Sequence, residues 1–410
     1  MAKTVDTRVR RRTTVGLLGP AFVAAIAYVD PGNVAANFTG GARYGYLLVW
    51  VLVVANVMAA LIQYHSAKLG IVTGNTLPQL VGQRLGRAQR LAYWAQAELI
   101  AAATDLAEVI GGAIALQLLF GLPLFWGGLI VGLVSIALLA AQTRYGQRRF
   151  ESIIISLLGI IAIGFIAGLF VNPPDAGQVI GGLLPRFEGT GSVLLAASML
   201  GATVMPHAIY VHSALARDRH GAAERGEPTS LLLRATKLDV GVALGIAGVI
   251  NLGMLLLAAV NLQGVAGTDT INGAHAAIEA ALGPVIALVF AVGLLASGLA
   301  STSVGAYAGA TIMEGLLRRR IPLLVRRLVT LIPALVLLGA GVNPTGALVI
   351  SQVALSFGIP FALIPLLRLT NDRSLMGQYA NNLTVKCVMT GIIVVIVCLN
   401  VVLIVLTVRG

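Results

Sequence analysis

Charge is scarce in this chain. Only 11% of its 410 residues are Asp, Glu, Lys or Arg, while 58% are apolar. A soluble domain carries about a quarter charged residues. The deficit excludes an ordinary soluble domain, because the apolar residues gather in repeated runs of about 20, the length that crosses a bilayer. Cysteine is almost missing. The two present, Cys387 and Cys398, lie eleven positions apart on one expected helix, roughly 16 Å of rise, which excludes a disulfide between them. They read as small buried hydrophobes. HExxH, G-x-S-x-G, Walker A and GxGxxG runs are all absent, so the enzyme classes those motifs mark find no support.

What is present is a ladder of apolar runs. Eleven spans are expected, at about 14–40, 46–71, 91–119, 124–142, 152–171, 191–216, 237–261, 284–313, 324–341, 346–368 and 385–408. Several exceed the bilayer's need, which suits tilted or interrupted helices. The basic 1–13 segment followed by apolar sequence resembles a signal sequence. The apolar stretch runs on through Pro31 and many spans follow, so it reads as a retained first transmembrane helix.

The formal net charge of +12 does not mark a nucleic-acid binder, because the basic residues sit in short connections. Lys3 to Arg12, Lys68 with Arg84 to Arg90, Arg144 to Arg149, Arg217 to Lys237, Arg318 to Arg327, and Arg368 to Lys386 all fall on one side of an eleven-span chain. The other side keeps Arg43, Arg186 and Arg409. The positive-inside rule then puts the N-terminus in the cytoplasm and the C-terminus outside. Arginine outnumbers lysine, and alanine and glycine abound, which points to a GC-rich bacterial genome and hence a multi-pass inner-membrane protein. The outside connection 262–283 is expected to carry a short surface helix over 273–282, with His275 solvated.

Two spans are interrupted near mid-membrane. The first contains Asp30-Pro31-Gly32-Asn33, and the sixth contains Gly201-Ala202-Thr203-Val204-Met205-Pro206-His207. Breaks in spans one and six divide the chain into two five-helix halves, 14–171 and 191–368. With an odd number of helices per half, the halves are inverted, and 385–408 is an added eleventh helix. Paired breaks in inverted halves are the best sequence pointer to a transporter's central site. The expected architecture is therefore an all-α integral membrane protein with broken first and sixth helices.

Proline has no N–H and clashes with the carbonyl four residues back. Pro31 is expected to free the Ala27 carbonyl, and Pro206 that of Ala202. Such carbonyls must face protein or a wet cavity, and they are ready cation ligands. Asp30 is ionisable at membrane depth, a functional marker by default. The plainer reading is a charge paired with an arginine, or a carboxyl kept protonated. With Asn33 and the carbonyls alone the site would be a hard oxygen site. Met205 adds a soft thioether, which favours transition metals, although methionine in a membrane helix is more often packing. Three positions after Ala202, its side chain and that carbonyl would share a helix face. His207 lies about 200° from Met205 on a regular helix and reads as a proton-handling or gating residue; the alternative is a hydrogen-bonded core histidine. His212 reads as structural. Glu98, Asp105 and Glu108 share one face of span three over roughly 15 Å. They form a proton path, or salt bridges to arginines such as Arg326 and Arg327, and both readings stand together. Gln352 lines the site or bonds a neighbouring helix. Asn251 reads as interhelical glue.

With Asp30-Pro31-Gly32-Asn33 and Met205-Pro206-His207, the sequence resembles the Nramp family of proton-coupled divalent metal transporters, whose bacterial members import manganese. Asp105-Leu106-Ala107-Glu108 and Gln352 fit as well. The resemblance implies an inverted-repeat fold like that of sodium-coupled amino-acid transporters. It implies metal binding by Asp30, Asn33, Met205 and the Ala202 carbonyl, with Gln352 joining in some conformations. It implies proton roles for Asp30, His207, Asp105 and Glu108. Manganese or iron would be cargo, protons the coupling ion, and no resident cofactor is expected. Two other functions are weighed against this one. A sodium-coupled amino-acid carrier of the same fold would meet repulsion between Asp30 and a substrate carboxylate. A membrane metalloenzyme built on His207, Asp105 and Glu108 has no ligand spacing behind it.

Overall fold

The structure, a computed structural model, describes residues 19–145, 147–220, 228–318 and 323–409. The basic 1–13 segment and Arg225, Arg319 and Arg320 lie outside the described residues, as do the side chains of Arg144, Arg148 and Arg149. Among the described residues all regular structure is helical. In chain order the helices are α1 Pro20–Ile26, α2 Pro31–Tyr44, α3 Val49–Thr73, α4 Leu77–Arg84, α5 Arg87–Phe120, α6 Leu124–Tyr145, α7 Gln147–Val171, α8 Ala176–Gly181, α9 Gly189–Thr203, α10 Pro206–His220, α11 Thr229–Asn261, α12 Ile271–Leu282, α13 Pro284–Ile312, α14 Leu323–Gly339, α15 Pro344–Asn371, α16 Arg373–Met376 and α17 Leu383–Arg409. Eight helices among the described residues are long and apolar enough to cross a membrane, with α9 and α10 counted as one. The remaining expected spans correspond to broken α1–α2, to α6, and to the 17-residue α14.

Burial sorts these helices. In Gly189–His220, 94% of the apolar window is buried inside the protein, against 28% in Leu383–Leu406. The broken sixth span is thus the centre and α17 the rim, its outer face left for lipid. The cysteines sit on that rim. Both are free and exposed, which corrects the expectation that they are buried: an apolar thiol on a lipid-facing helix has no core to enter. His275, on α12, is half-buried with its ring 6.1 Å from that of Phe290, where burial holds its imidazole below the usual range. It is not a freely solvated side chain.

The charge pattern is also redrawn. Lys68, Arg326 and Arg327 are 6%, 3% and 0% exposed, so they do not belong to the solvated connections. Lys68 donates to the Asn381 side chain at 2.6 Å and the Tyr379 carbonyl at 3.1 Å, tying the connection before α17 to α3. Inside α15, Pro360 cannot donate to the Ser356 carbonyl. Asn400 of α17 supplies that donor at 2.9 Å and accepts from the Ser356 hydroxyl at 2.7 Å. The eleventh expected span thereby repairs the backbone of the tenth.

Glycine sets the closest helix approach. A Cβ on Gly201 of α9 would strike the Gln352 carbonyl and lie 2.9 Å from the Ser356 amide nitrogen of α15, and backbone cannot move aside. Gly201→Leu is expected to destabilise by about 1–3 kcal/mol or more, read as a lower melting temperature of the detergent-purified protein. Gly241→Leu, with open space around Gly241, should stay within about 0.5 kcal/mol of the parent. Equal melting of both variants would refute the close contact.

Candidate metal site

Both breaks are helix boundaries rather than kinks. α1 tightens into a 3-10 turn over Ala27–Val29 and stops. Asp30 is extended, with φ −73° and ψ 169°, and caps α2: its Oδ1 accepts the Asn33 amide N–H at 2.7 Å. Pro31 then takes the first helical position, where its missing N–H costs nothing. α9 ends at Thr203, Val204 leaves the helical region with φ −109° and ψ 67°, and Pro206 starts α10. This corrects two expectations. The prolines open new half-helices instead of clashing within continuous ones. Met205 lies in the gap between helices, so regular three-residue and 200° spacings do not govern how it, Ala202 and His207 face.

Buried backbone carbonyls need donors, and the freed ones can be followed singly. Tyr28 O receives the Asn251 amide at 2.6 Å, and Val29 O the Ser297 hydroxyl at 2.6 Å. Ala27 O receives the Asn33 side-chain amide at 3.5 Å. That same Asn33 nitrogen donates to Asp30 Oδ1 at 2.8 Å and to Ala202 O at 3.0 Å. Three acceptors from two half-helix ends therefore converge on one buried amide. Around it, Asp30 Oδ2, Asn33 Oδ1, Thr203 Oγ1 and Gln352 Oε1 are buried without a hydrogen-bond partner. Gln352 on α15 reaches the first break, since a Cβ on Gly32 would collide with its side chain. Met205 is fully buried in the second break. Buried acceptors without donors are costly, and a cation is what this chemistry satisfies. The C-terminal ends of α1 and α9 add negative dipole ends to the same place.

The residues expected to handle protons fall into two groups. His207, in the first turn of α10, places Nδ1 3.3 Å from the Thr104 hydroxyl of α5. It faces α5, and its Nε2 has no partner. On α5 itself, Arg326 bridges Glu98 at 3.2 Å and Asp105 at 3.8 Å, while Arg327 lies 3.4 Å from Asp105 and donates to Ser135 at 2.8 Å. Glu108 is 1% exposed, has no cationic partner among the described residues, and leaves Oε2 without a donor. A Cβ on Gly305 would lie 3.0 Å from both Glu108 oxygens and 3.2 Å from Asp105, so α13 is the wall both carboxylates face.

Three supporting residues, Asp239, Asn37 and Gln63, carry no sequence signal of their own, and two of them partner Asn251 and His212. Asp239 of α11 accepts from the amides of Gly19 and Ala21 at 3.0 and 2.9 Å, capping the start of α1 across 220 residues of chain. Asn37 donates to Asn251 at 2.7 Å, so Asn251 links α2, the first break and α11. His212 Nδ1 is 2.7 Å from Gln63 Oε1, and Gln63 in turn donates to the Tyr28 hydroxyl. Among the described residues no three His, Cys, Asp or Glu side chains are grouped to hold a metal.

Known proteins resemble this chain in sequence and fold. The Nramp profile, described as natural resistance-associated macrophage protein-like, matches residues 21–406. The chain is 60% identical over 405 residues to the divalent metal cation transporter MntH of Mycobacterium tuberculosis (strain H37Rv), covering 99% of this chain and 95% of that protein. MntH of Bacillus subtilis (strain 168) is 46% identical over 400 residues, covering 97% and 94%. The crystal structure of the Eremococcus coleocola manganese transporter, in complex with an aromatic bis-isothiourea compound, superposes with a TM-score of 0.86 at 31% identity, covering 98% of this chain and 87% of that one. The fold extends further, to the nucleobase-cation-symport transporter Mhp1 with a TM-score of 0.61 at 16% identity, covering 95% and 92%. With its paired helix breaks and its match across nearly the whole length, the chain belongs to the Nramp family.

Proposed function

We propose that this protein imports divalent transition-metal ions, manganese or iron, across the plasma membrane together with protons, by alternating access. The observation that carries the reading is the set of buried, donorless oxygens around the Asn33 amide at the junction of the two breaks. A metal there would take Asp30, Asn33, Met205 and the Ala202 carbonyl as ligands, with the Ala27 carbonyl and Gln352 within the same wall. Transporters similar to it in sequence are named for divalent metal, and a solved structure similar to it for manganese.

Asp30 supplies the one carboxylate among these ligands, so metal and proton compete for it. A proton leaving Asp30 has His207 beside Thr104 and then Asp105 and Glu108 on α5. The Arg326–Glu98 end of the network lies beyond, toward the cytoplasm. In this reading 14–171 and 191–368 are the inverted halves, 385–408 is the eleventh span, and the N-terminus is cytoplasmic with the C-terminus outside.

The test is manganese uptake into proteoliposomes, with and without an inward proton gradient and with excess calcium. Uptake that rises with the gradient and resists calcium is expected. Uptake indifferent to the gradient, or blocked by calcium at similar concentration, would overturn the proposal. Met205→Ala is expected to leave transport in place and erode discrimination, because a thioether prefers transition metals and its loss leaves a hard oxygen site. Calcium should then inhibit manganese uptake at concentrations about tenfold lower than in the parent. Unchanged calcium inhibition would show that Met205 is packing.

A further inference from the structure

Away from the breaks, a cavity of about 440 Å³ lies between α4, the first turns of α5 and the last turns of α15. It has two unlike ends. Phe361, Ile364 and Arg368 fall at i, i+3 and i+7 of α15, one helix face, and all three line it together with Leu85, Tyr93 and Arg84. Phe361 is 49% exposed within a membrane-crossing helix, so its side faces lipid. Arg368, roughly 10 Å further along the axis, is exposed at the cavity's other end. At the inner wall, Tyr93 meets Tyr210 of α10 through their hydroxyls at 3.4 Å.

The charges at the polar end do not cancel. Arg84 uses one Nη on Asp372 Oδ2 at 2.8 Å. Asp372 is held ionised, its carboxyl lowered to about 2 by the Ser374 hydroxyl and then by Arg84. Arg368 has no acidic partner among the described residues. Arg84, Arg368 and Asp372 together leave one net positive charge, with guanidinium donors to spare. A guanidinium fork matches phosphate geometry, and a basic pocket between membrane helices on the cytoplasmic side suits an anionic headgroup. The apolar wall above the arginines, open to lipid at Phe361, suits a hydrocarbon chain and not a free solute.

We propose that this groove holds one anionic phospholipid of the cytoplasmic leaflet, its phosphate on Arg368 and Arg84 and one acyl chain along Ile364 and Phe361. The leaflet, though not the groove, rests on the orientation proposed above. The site lies outside the metal-binding breaks and does not depend on what is transported.

Native mass spectrometry of the full-length detergent-purified protein, titrated with dioleoylphosphatidylglycerol or dioleoylphosphatidylcholine, tests it. One phosphatidylglycerol should be retained in clear preference to phosphatidylcholine. Arg368→Gln should weaken its binding about fivefold, as one arginine facing an anionic lipid contributes. Ile364→Trp keeps both arginines but fills the groove, and should weaken it at least as much. Arg368 is exposed and carries no ion pair in the structure, so its variant is expected to melt like the parent. Equal binding of the two lipids, or unchanged phosphatidylglycerol binding in both variants, would overturn the site. Inorganic phosphate displacing the lipid at matched concentration would make it a simple anion site and overturn the lipid assignment. A fall in manganese uptake for Ile364→Trp in pure phosphatidylcholine vesicles would place the cavity on the cation's exit route, and would overturn it too.

Discussion

Asp30→Ala is expected to reduce manganese uptake to the background of empty vesicles, a loss of more than about 100-fold. Residues that merely support a metal ligand cost about 10–100-fold when removed, and the proposed site makes Asp30 a ligand itself. It is the one carboxylate at the junction of the breaks, fully buried, with Oδ2 free of any donor. Its Oδ1 also does structural work, accepting the Asn33 backbone N–H at 2.7 Å and the Asn33 side chain at 2.8 Å. Asp30→Asn separates the two roles, because an amide oxygen still caps α2. Asp30→Asn should therefore melt near the parent while taking up no manganese. Normal uptake by either variant would remove Asp30 from the cation site and with it the proposed function. Loss of uptake in Asp30→Ala alone, with Asp30→Asn active, would mean that the cap and not the charge is what transport needs.

Arg327→Met is expected to cause the largest loss of stability, about 3–5 kcal/mol, the cost of removing one partner from a buried charge pair. Arg327 is fully buried, 3.4 Å from Asp105, which is itself fully buried. Methionine replaces its bulk and strands the carboxylate beside Glu108 with only the more distant Arg326 at 3.8 Å. The second variant, Asp105→Leu with Arg327→Met, removes both charges and should recover most of the melting temperature, since apolar replacement of a whole buried pair is often neutral. Uptake divides the two readings of this network. If it conducts protons, the paired variant should move manganese without stimulation by the proton gradient. If it only holds helices together, gradient stimulation should survive. Melting of Arg327→Met at the parent's temperature would show that the ion pair does not hold α14 to α5.

Much of this was legible in the chain because a bilayer leaves few alternatives. Apolar length marks a crossing helix, and the expected spans fall on helices wherever residues are described, within several residues at each end. The two breaks were legible for the same reason: Asp30-Pro31-Gly32-Asn33 and Met205-Pro206 are chemically out of place at membrane depth. Local geometry was less so. Proline at a mid-span position reads equally as a kink or as the first residue of a new helix, and only the extended Asp30 and Val204 decide between them. Arginine beside an apolar run reads as a cytoplasmic anchor. For Arg326 and Arg327 the other reading of the sequence, salt bridges to the span-three carboxylates, is the one the structure shows: Glu98 and Asp105 are on α5, more than 200 residues earlier. Cys387 and Cys398 were misplaced because the outward face of α17 is as apolar as a core.

The sequence by itself determined that this is a many-helix membrane protein, that its first and sixth spans are broken, and which family it resembles. Those properties follow from composition, run length and residues adjacent in the chain. Only the tertiary structure decided which distant groups meet. It put Asn33 against the Ala202 carbonyl 169 positions away, Asp239 on the amides that open α1, and Asn400 on the carbonyl that Pro360 leaves open. It also brought Arg84 and Arg368 to one groove. The physical reason is that a hydrogen bond or an ion pair leaves no trace in local periodicity. Its free energy depends on burial and distance, and helix packing sets both.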